Sequence, residues 1–241
     1  MIKEAIDKIL ELRKVNLCTI NDREYTDKEI YPVKEPLPSC INVGTLEALL
    51  VYLSECDKGL RSRLTRLDTL FIIVVNPTTV QVKTGVTEEF FARGVLIQSD
   101  AELPKVVLNT YIPVEPFIIM LKTVFVQSPA VQDVVKIVGN VKAGTEIQQE
   151  DDGITQRVTT KAGAARVEEV EIPNPIMMAP YRTFMDIAQP ESPFLLRMRA
   201  GGHGIEAALF EADGGMWRQA AMRDIKDYFT LNLTEKIPVL N

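Results

Sequence analysis

The sequence has little histidine and little cysteine. Its single histidine, His203, stands among three glycines, and its cysteines are Cys18, Cys40 and Cys56. A single histidine excludes His-rich zinc and iron sites, and Ser-His-Asp or Cys-His mechanisms would depend on this one imidazole. A hairpin turn explains its glycine neighbours better. Three cysteines without a CxxC pair fit neither a disulfide framework nor a zinc site. We therefore expect reduced thiols and keep His203 only as a candidate for binding.

Long apolar runs and phosphate-binding motifs are also missing. The longest apolar run, 117–126, is interrupted by Lys122 and Thr123 and is far shorter than the roughly 20 residues of a membrane span. The chain contains no GxxxxGK[ST] sequence and no GxGxxG after a predicted strand. Its first residues mix charged and apolar side chains, unlike a signal peptide. We expect a soluble, cytoplasmic protein with no membrane partner and no cofactor.

The composition is typical of a globular protein. Hydrophobic residues make up 46% and charged residues 25% of the 241 residues, which allow one large domain or two small ones. The formal net charge is -6, from 27 basic and 33 acidic side chains. This sign disfavours a dedicated nucleic-acid binder, although a local basic patch could override it.

Alternating helix and strand patterns predict an α+β fold, with an antiparallel or mixed sheet covered by helices. Helical patterns occur at 2–14, 45–56, 113–126, 130–138 and from Trp217 onward. Strand patterns occur at 15–20, 67–75, 80–83, 90–97, 155–161, 165–172, 194–199 and 205–211. We predict a helix-rich N-terminal half, a hairpin-rich C-terminal half with a closing helix, and a strand at 67–75 that is buried on both faces.

A change in composition predicts a loop or loose linker at 139–153, where glycine, asparagine, glutamine and acidic residues are frequent. If the chain has two parts, this segment separates a helix-rich part at 1–141 from the hairpins and closing helix at 142–241. We expect the two parts to form one continuous fold.

One basic cluster is present. Lys58–Arg66 contains four positive charges and no negative one, and it includes Arg61, Arg63 and Arg66. Such a cluster contacts phosphate or an acidic partner in some proteins, and forms a solvated surface in most others. Both interpretations stay open.

Carboxylates are concentrated at two places. Glu146, Glu150, Asp151 and Asp152 could gather a hard cation, but their spacing lacks the alternating ligands of a calcium loop, and an acidic surface loop explains them better. We therefore predict no metal site there. The second place is the pair Glu211 and Asp213. These two carboxylates could perform acid–base chemistry, whereas capping of the following helix explains Asp213 more simply.

The segment 173–193 contains five prolines together with Tyr181 and Arg182. Ordered irregular segments of this length usually have a function. Met177, Met178 and Met185 would suit an adaptable apolar contact. The segment either packs on its own domain or reaches a neighbouring subunit, and the sequence favours neither arrangement.

Several short pieces of the C-terminal hundred residues carry a family resemblance. They are 151–156, 173–175, 179–184, 190–194 and 208–215 before Trp217, with a weaker match at 44–49. Together they resemble the YfdQ-like family of phage and prophage proteins, a domain of unknown function. The resemblance implies a phage or prophage origin and brings no catalytic residues.

We expect a phage-encoded, non-catalytic binding protein that self-associates, and we favour a counter-defence role in which it sequesters a host protein or a small anionic signal. The candidate ligand- or partner-binding residues are Arg61, Arg63, Arg66, Tyr181, Arg182 and His203. Two alternatives stay open. One is an accessory protein of phage DNA recombination or replication that uses the basic cluster, and the other is a metal-dependent hydrolase that uses the clustered carboxylates.

The basic cluster gives a direct test of the first alternative. If it binds phosphate, changing Arg61, Arg63 and Arg66 to glutamate should abolish a salt-sensitive interaction with DNA, because counterion release drives such binding. Fluorescence anisotropy with labelled DNA measures it. A wild-type protein that does not bind DNA even at low salt removes this alternative.

Overall fold

A computed structural model describes residues 2–13, 17–20, 23–26, 39–55, 70–85, 93–140, 150–151, 156–161, 167–172, 174–202, 204–233 and 237–241. The chain divides into two compact units, one of Met1–Leu37 with Val86–Ala92 and the other of Pro38–Gly85 with Arg93–Asn241. Helices and mixed or antiparallel sheets are both present, which confirms the predicted α+β class. The helix-rich and hairpin-rich halves stay a prediction.

The smaller unit contributes one helix and one pair of strands to the described residues. Helix α1 (Ile2–Arg13) confirms the first helical pattern, and its exposed residues Lys8 and Glu11 form an ion pair of 2.9 Å. Strand β1 (Leu17–Ile20) pairs antiparallel with β2 (Arg23–Thr26). The first predicted strand is therefore confirmed.

The larger unit contains four helices and twelve strands within the described residues. In chain order they are β3 (Ile41–Val43), α2 (Leu46–Glu55), β4 (Leu70–Asn76), β5 (Thr79–Thr84), β6 (Val95–Asp100), β7 (Ile112–Pro113), α3 (Val114–Val124), α4 (Pro129–Asn140), β8 (Glu150–Asp151), β9 (Gln156–Lys161), β10 (Val167–Ile172), β11 (Ile176–Met178), β12 (Ser192–Gly201), β13 (Gly204–Glu211), α5 (Trp217–Asn232) and β14 (Val239–Leu240).

A five-stranded mixed sheet forms the first core, in the order β14-β4-β5-β6-β3. β4 and β5 form an antiparallel hairpin, and Pro77 lies in its turn, where the N–H donor that proline lacks is not needed. The edge strands β14 and β3 run parallel to their neighbours. α2 and α5 pack on the same face of the sheet and supply Leu46, Leu49, Ile225 and Phe229 to its core.

The prediction that the strand at 67–75 is buried on both faces is wrong. In β4, Leu70, Ile72 and Val74 enter the core, whereas Val75 is exposed on the opposite face. Successive side chains of a strand point to opposite sides, and α2 and α5 cover only one of them.

The N–H groups in the first turn of α2 donate hydrogen bonds to two side chains. Thr45 Oγ1 accepts from the N–H of Ala48 at 3.2 Å, as an N-cap side chain does. Asp186, 140 residues away from Leu46, accepts from the N–H of Leu46 at 3.2 Å. Its other carboxylate oxygen accepts from the N–H of Glu47 at 3.0 Å. A carboxylate at this position satisfies free donors and interacts favourably with the helix dipole.

A four-stranded antiparallel sheet, in the order β11-β12-β13-β7, forms the second core with α3 and α4. β12 and β13 confirm the predicted hairpin, whose register runs from Phe194 opposite Glu211 to Gly201 opposite Gly204. α3 buries Phe117, Leu121 and two further residues, as its apolar run predicts, but leaves Ile119 exposed. No helix among the described residues is long and apolar enough to span a membrane.

A three-stranded sheet, in the order β10-β9-β8, comes from residues 150–172. β9 and β10 confirm two predicted strands. Of the loop predicted at 139–153, residues 139 and 140 belong to α4, and residues 150 and 151 form β8, which pairs with the first residues of β9. The boundary between residues 141 and 142 stays a prediction, since 141–149 lie outside the described residues.

α5 confirms the predicted closing helix. Asp213 accepts hydrogen bonds from the N–H groups of Gly215 at 2.8 Å and Trp217 at 3.0 Å, as the predicted cap requires. Gly214 and Gly215 have φ values of 62° and 85°, a region that glycine adopts without steric cost. The buried face of α5 steps by four residues, through Ala221, Ile225 and Phe229.

We predict that Asp186→Ala lowers the free energy of unfolding by about 1–2 kcal/mol, because it removes both acceptors and a favourable charge from the first turn of α2. Urea denaturation followed by circular dichroism measures the loss. Asp186→Asn keeps one acceptor oxygen and should lose less. The control Asp133→Ala, in an exposed ion pair on α4, should change stability by no more than about 0.5 kcal/mol. Equal losses at Asp186 and Asp133 would contradict the remote cap.

Candidate functional site

Residues 179–191 join β11 to β12, and we call them the strap. These strands are antiparallel neighbours that a short turn could connect, yet the strap leaves their sheet and enters the first core. Phe184 packs there with the residues of β4 and α5, and Asp186 caps α2. At its start, Pro180 bridges to Phe125 at the end of α3. The strap therefore connects the two cores of the larger unit.

Gln189 fixes the shape of the strap. Its Oε1 accepts from the N–H groups of Arg182 at 3.0 Å and Thr183 at 3.2 Å. Its Nε2 donates to the carbonyls of Thr183 at 3.2 Å and Phe184 at 3.0 Å. Thr183 Oγ1 also donates to the carbonyl of Pro77 at 2.6 Å, in the β4–β5 turn. These bonds satisfy backbone groups that secondary structure leaves unpaired here.

Arg182 is the buried cation of the strap, with only 8% of its side chain exposed. Its Nη1 donates to Glu211 Oε1 at 2.8 Å, and its Nη2 donates to Ser192 Oγ at 2.6 Å and to the Pro190 carbonyl at 3.1 Å. The guanidinium carbon lies 4.1 Å from the centroid of the Trp217 ring, within cation–π range. One side chain thus joins the strap to β12, β13 and α5.

Burial lowers the pKa of Arg182 to about 10, because desolvation disfavours the cation. The charges of Glu211 and Asp213 oppose this shift, and the charge of Arg218 adds to it. The guanidinium therefore stays protonated at neutral pH. Two neighbouring donors, Arg182 Nε and Trp217 Nε1, are buried without a hydrogen-bond partner. The arrangement is that of an internal ion pair with both Nη groups already engaged.

The described residues include two of the six predicted binding residues, and both lie on the strap. Tyr181 is half-buried, and its N–H donates to the Val124 carbonyl at 2.9 Å. Arg182 is internal, as its partners show. The four others lie outside the described residues and stay predictions. They are Arg61, Arg63, Arg66 and His203.

Three methionines, on β11, on the strap and in the turn before α5, are exposed. Met177 on β11 is 47% exposed, Met185 on the strap 56%, and Met216 in the turn before α5 72%. Met178 is buried in the second core, so its predicted part in a surface contact is wrong, because neighbouring strand residues face opposite sides. Sequence reasoning missed Met216, whose position after two turn glycines was the available signal. We call Met177, Met185 and Met216 the exposed methionines.

The carboxylates predicted as a possible acid–base pair have separate partners. Glu211 binds Arg182, and Asp213 caps α5. Glu150 and Asp151 form β8, while Glu146 and Asp152 lie outside the described residues. Within the described residues, no group of three or more His, Cys, Asp or Glu side chains is placed to hold a metal ion.

A second cluster lies on the four-stranded sheet, and sequence reasoning missed it. The Arg199 guanidinium carbon lies 4.0 Å from the centroid of the Tyr111 ring, and Arg199 Nε donates to Glu206 Oε2 at 2.8 Å. Tyr111 also meets Phe210 edge to face, with centroids 5.9 Å apart. The available signal was the alternation on β12, which places Arg197 and Arg199 on one face. We call these five residues the arginine–tyrosine platform.

No protein-family model, curated protein or solved structure matches this chain. The resemblance to the YfdQ-like family stays a prediction.

We predict that Arg182→Ala lowers the free energy of unfolding by about 3 kcal/mol, because it leaves Glu211 without its partner in a largely buried position. Denaturation followed by the fluorescence of Trp217, the only tryptophan, measures the loss and reports the stacked ring directly.

Two controls separate this ion pair from ordinary surface charge. Lys136→Ala removes a pair whose side chains are 70% and 62% exposed, and should cost less than about 1 kcal/mol. The double variant Arg182→Met with Glu211→Leu should recover much of the loss, because apolar residues of similar volume avoid an unpaired buried charge. A loss at Arg182→Ala no larger than at Lys136→Ala would show that the pair is not a structural constraint.

Proposed function

We propose that this protein is a phage-encoded, non-catalytic binding protein of the bacterial cytoplasm that sequesters a host protein through the exposed methionines. The observation that carries the proposal is a strap whose backbone is fixed by side-chain hydrogen bonds and whose Met185 is 56% exposed. Ordered irregular segments of this kind commonly serve recognition.

The strap is held in place at several points independent of any partner. Gln189 bonds it to itself, Thr183 bonds it to the β4–β5 turn, and Asp186 bonds it to α2. A surface that is already ordered loses little conformational entropy on binding, so more of the contact energy appears as affinity. Methionine side chains are unbranched and polarizable, and they adapt to an apolar partner. A fixed backbone with adaptable side chains suits capture of a protein surface.

Counter-defence is the role that we favour for this binding. The resemblance to phage and prophage proteins supports the origin. A protein that sequesters a host factor requires a stable complementary surface and no turnover, and the carboxylates Glu211 and Asp213 are engaged in an ion pair and a helix cap. Self-association belongs to the same proposal, because a second copy of the chain is an alternative apolar partner for the exposed methionines.

Native mass spectrometry of the protein, purified from cells infected with the phage that encodes it, tests the proposal. We expect the wild type to retain a host protein, a second copy, or both. The triple variant Met177→Ser, Met185→Ser, Met216→Ser should release the bound species, because it replaces the exposed apolar contact with hydroxyl groups.

The matched control is Ile119→Ser with Leu231→Ser, which changes exposed apolar residues on α3 and near the end of α5. This variant should retain what the wild type retains, and circular dichroism should show that both variants are folded. A wild type that carries neither a partner nor a second copy would end the proposal, as would equal release by the control.

A further inference from the structure

We propose that the arginine–tyrosine platform binds a ligand that combines a planar nucleobase with a phosphate group. The inference does not depend on the proposed capture of a host protein, since none of the exposed methionines belongs to the platform. A ligand of this class would be the small anionic signal that the sequence-based hypothesis names beside a host protein.

The strand register places the platform on one face of the four-stranded sheet. Arg199 lies opposite Glu206, and Arg197 lies opposite Ala208, which is two residues before Phe210. Residues opposite each other in an antiparallel pair share a face, as do residues two apart on one strand. The second core takes the other face, through Phe194, Leu196 and Met198 of β12. The platform therefore lies on the face directed away from this core.

Two contacts fix the planar guanidinium of Arg199. Its guanidinium stacks over Tyr111, and the bond from Nε to Glu206 at 2.8 Å fixes its position along the strand. Tyr111 is supported in turn by Phe210, which it meets at an interplanar angle of 67°. The Arg199 side chain is nevertheless 53% exposed. A guanidinium stacked on one side and open to solvent on the other provides a plane on which a nucleobase can stack.

The donors on this face suit a phosphate. The ion pair with Glu206 uses Nε of Arg199, so its two Nη groups keep donors for phosphate oxygens. Arg197, two residues before it, lies on the same face, and its Nη1 is buried. The Nη donors of Arg199 suit phosphate oxygens, and the aromatic and guanidinium planes favour an anion that carries a base.

The charge of the whole chain bears on the size of the ligand. A formal net charge of -6 repels a long polyanion at a distance, whereas a ligand with few phosphates meets mainly the local field. A free nucleotide and a short single-stranded nucleic acid both combine a nucleobase with a phosphate. Binding measurements with each ligand separate these two possibilities.

Isothermal titration calorimetry with the four ribonucleoside monophosphates, and separately with a short oligothymidylate, tests the platform at low salt. Tyr111→Leu keeps apolar volume but removes the ring, and it should weaken binding about tenfold or more, as loss of base stacking does. Arg199→Lys keeps the charge and the fold but removes the plane, and it should weaken binding as well. Trp217 fluorescence verifies that each variant is folded.

The matched control is Arg218→Ala, because Arg218 is also exposed and also lies over an aromatic ring, Trp217, at 5.1 Å. It should leave the affinity unchanged. Tighter binding of a monophosphate than of the oligothymidylate identifies a free nucleotide as the ligand, and the reverse order identifies a single strand. Absence of binding by all these probes overturns the proposal. So does binding that Tyr111→Leu and Arg199→Lys leave unchanged, or that Arg218→Ala weakens equally.

Discussion

A buried guanidinium constrains the larger unit more than any other group in the described residues. Arg182 is buried, and its charge and its two Nη groups find partners inside the protein. Glu211 must therefore stand at the end of β13 and Ser192 at the beginning of β12, both within hydrogen-bond distance of one side chain. The ring of Trp217 must lie beneath the guanidinium, which sets where α5 begins. The ion pair fixes the relative positions of these elements more than it stabilises the fold, because desolvation offsets much of its electrostatic attraction.

The strap links the ion pair of Arg182 to the first core. From Arg182 it continues to Phe184, which is fully buried among residues of β4 and α5, and then to Asp186 on the first turn of α2. The C-terminal residues also complete the first sheet, since β14 pairs with β4 and α5 packs on it. The first core therefore combines residues from both ends of the larger unit.

Local patterns predicted most of the helices and strands, because their periodicity comes from a single stretch of chain. The 3.6-residue period found α1 to α5, and the glycines at 201–204 marked the β12–β13 turn. Contacts across many residues were not predictable in this way. Nothing near Asp186 in the sequence indicates a helix that begins at Leu46, and nothing near Arg182 distinguishes a buried arginine from an exposed one. The one-sided burial of β4 was missed for the same reason, since a run of apolar residues does not reveal how many faces are covered. The alternation of β12 predicts that Arg197 and Arg199 share a face. It does not predict the stacking of Arg199 on Tyr111, because Tyr111 comes from another segment of the chain.

Both proposed surfaces arise from the same physical situation. In each, hydrogen bonds within the protein fix the backbone or the side chains. Other side-chain groups stay exposed to solvent and can contact a ligand or partner. On the strap the exposed group is the apolar side chain of Met185. The polar side chains of Gln189, Thr183 and Asp186 are hydrogen-bonded within the protein. On the platform the exposed group is the guanidinium of Arg199. Glu206 binds one edge of this group and Tyr111 stacks on one face, so its other edge and face stay open. Arg182 on the strap has both Nη groups bonded inside the protein, whereas the Arg199 side chain on β12 is 53% exposed, so the two arginines have opposite roles. The first fixes the fold, and the second is the one available to a ligand.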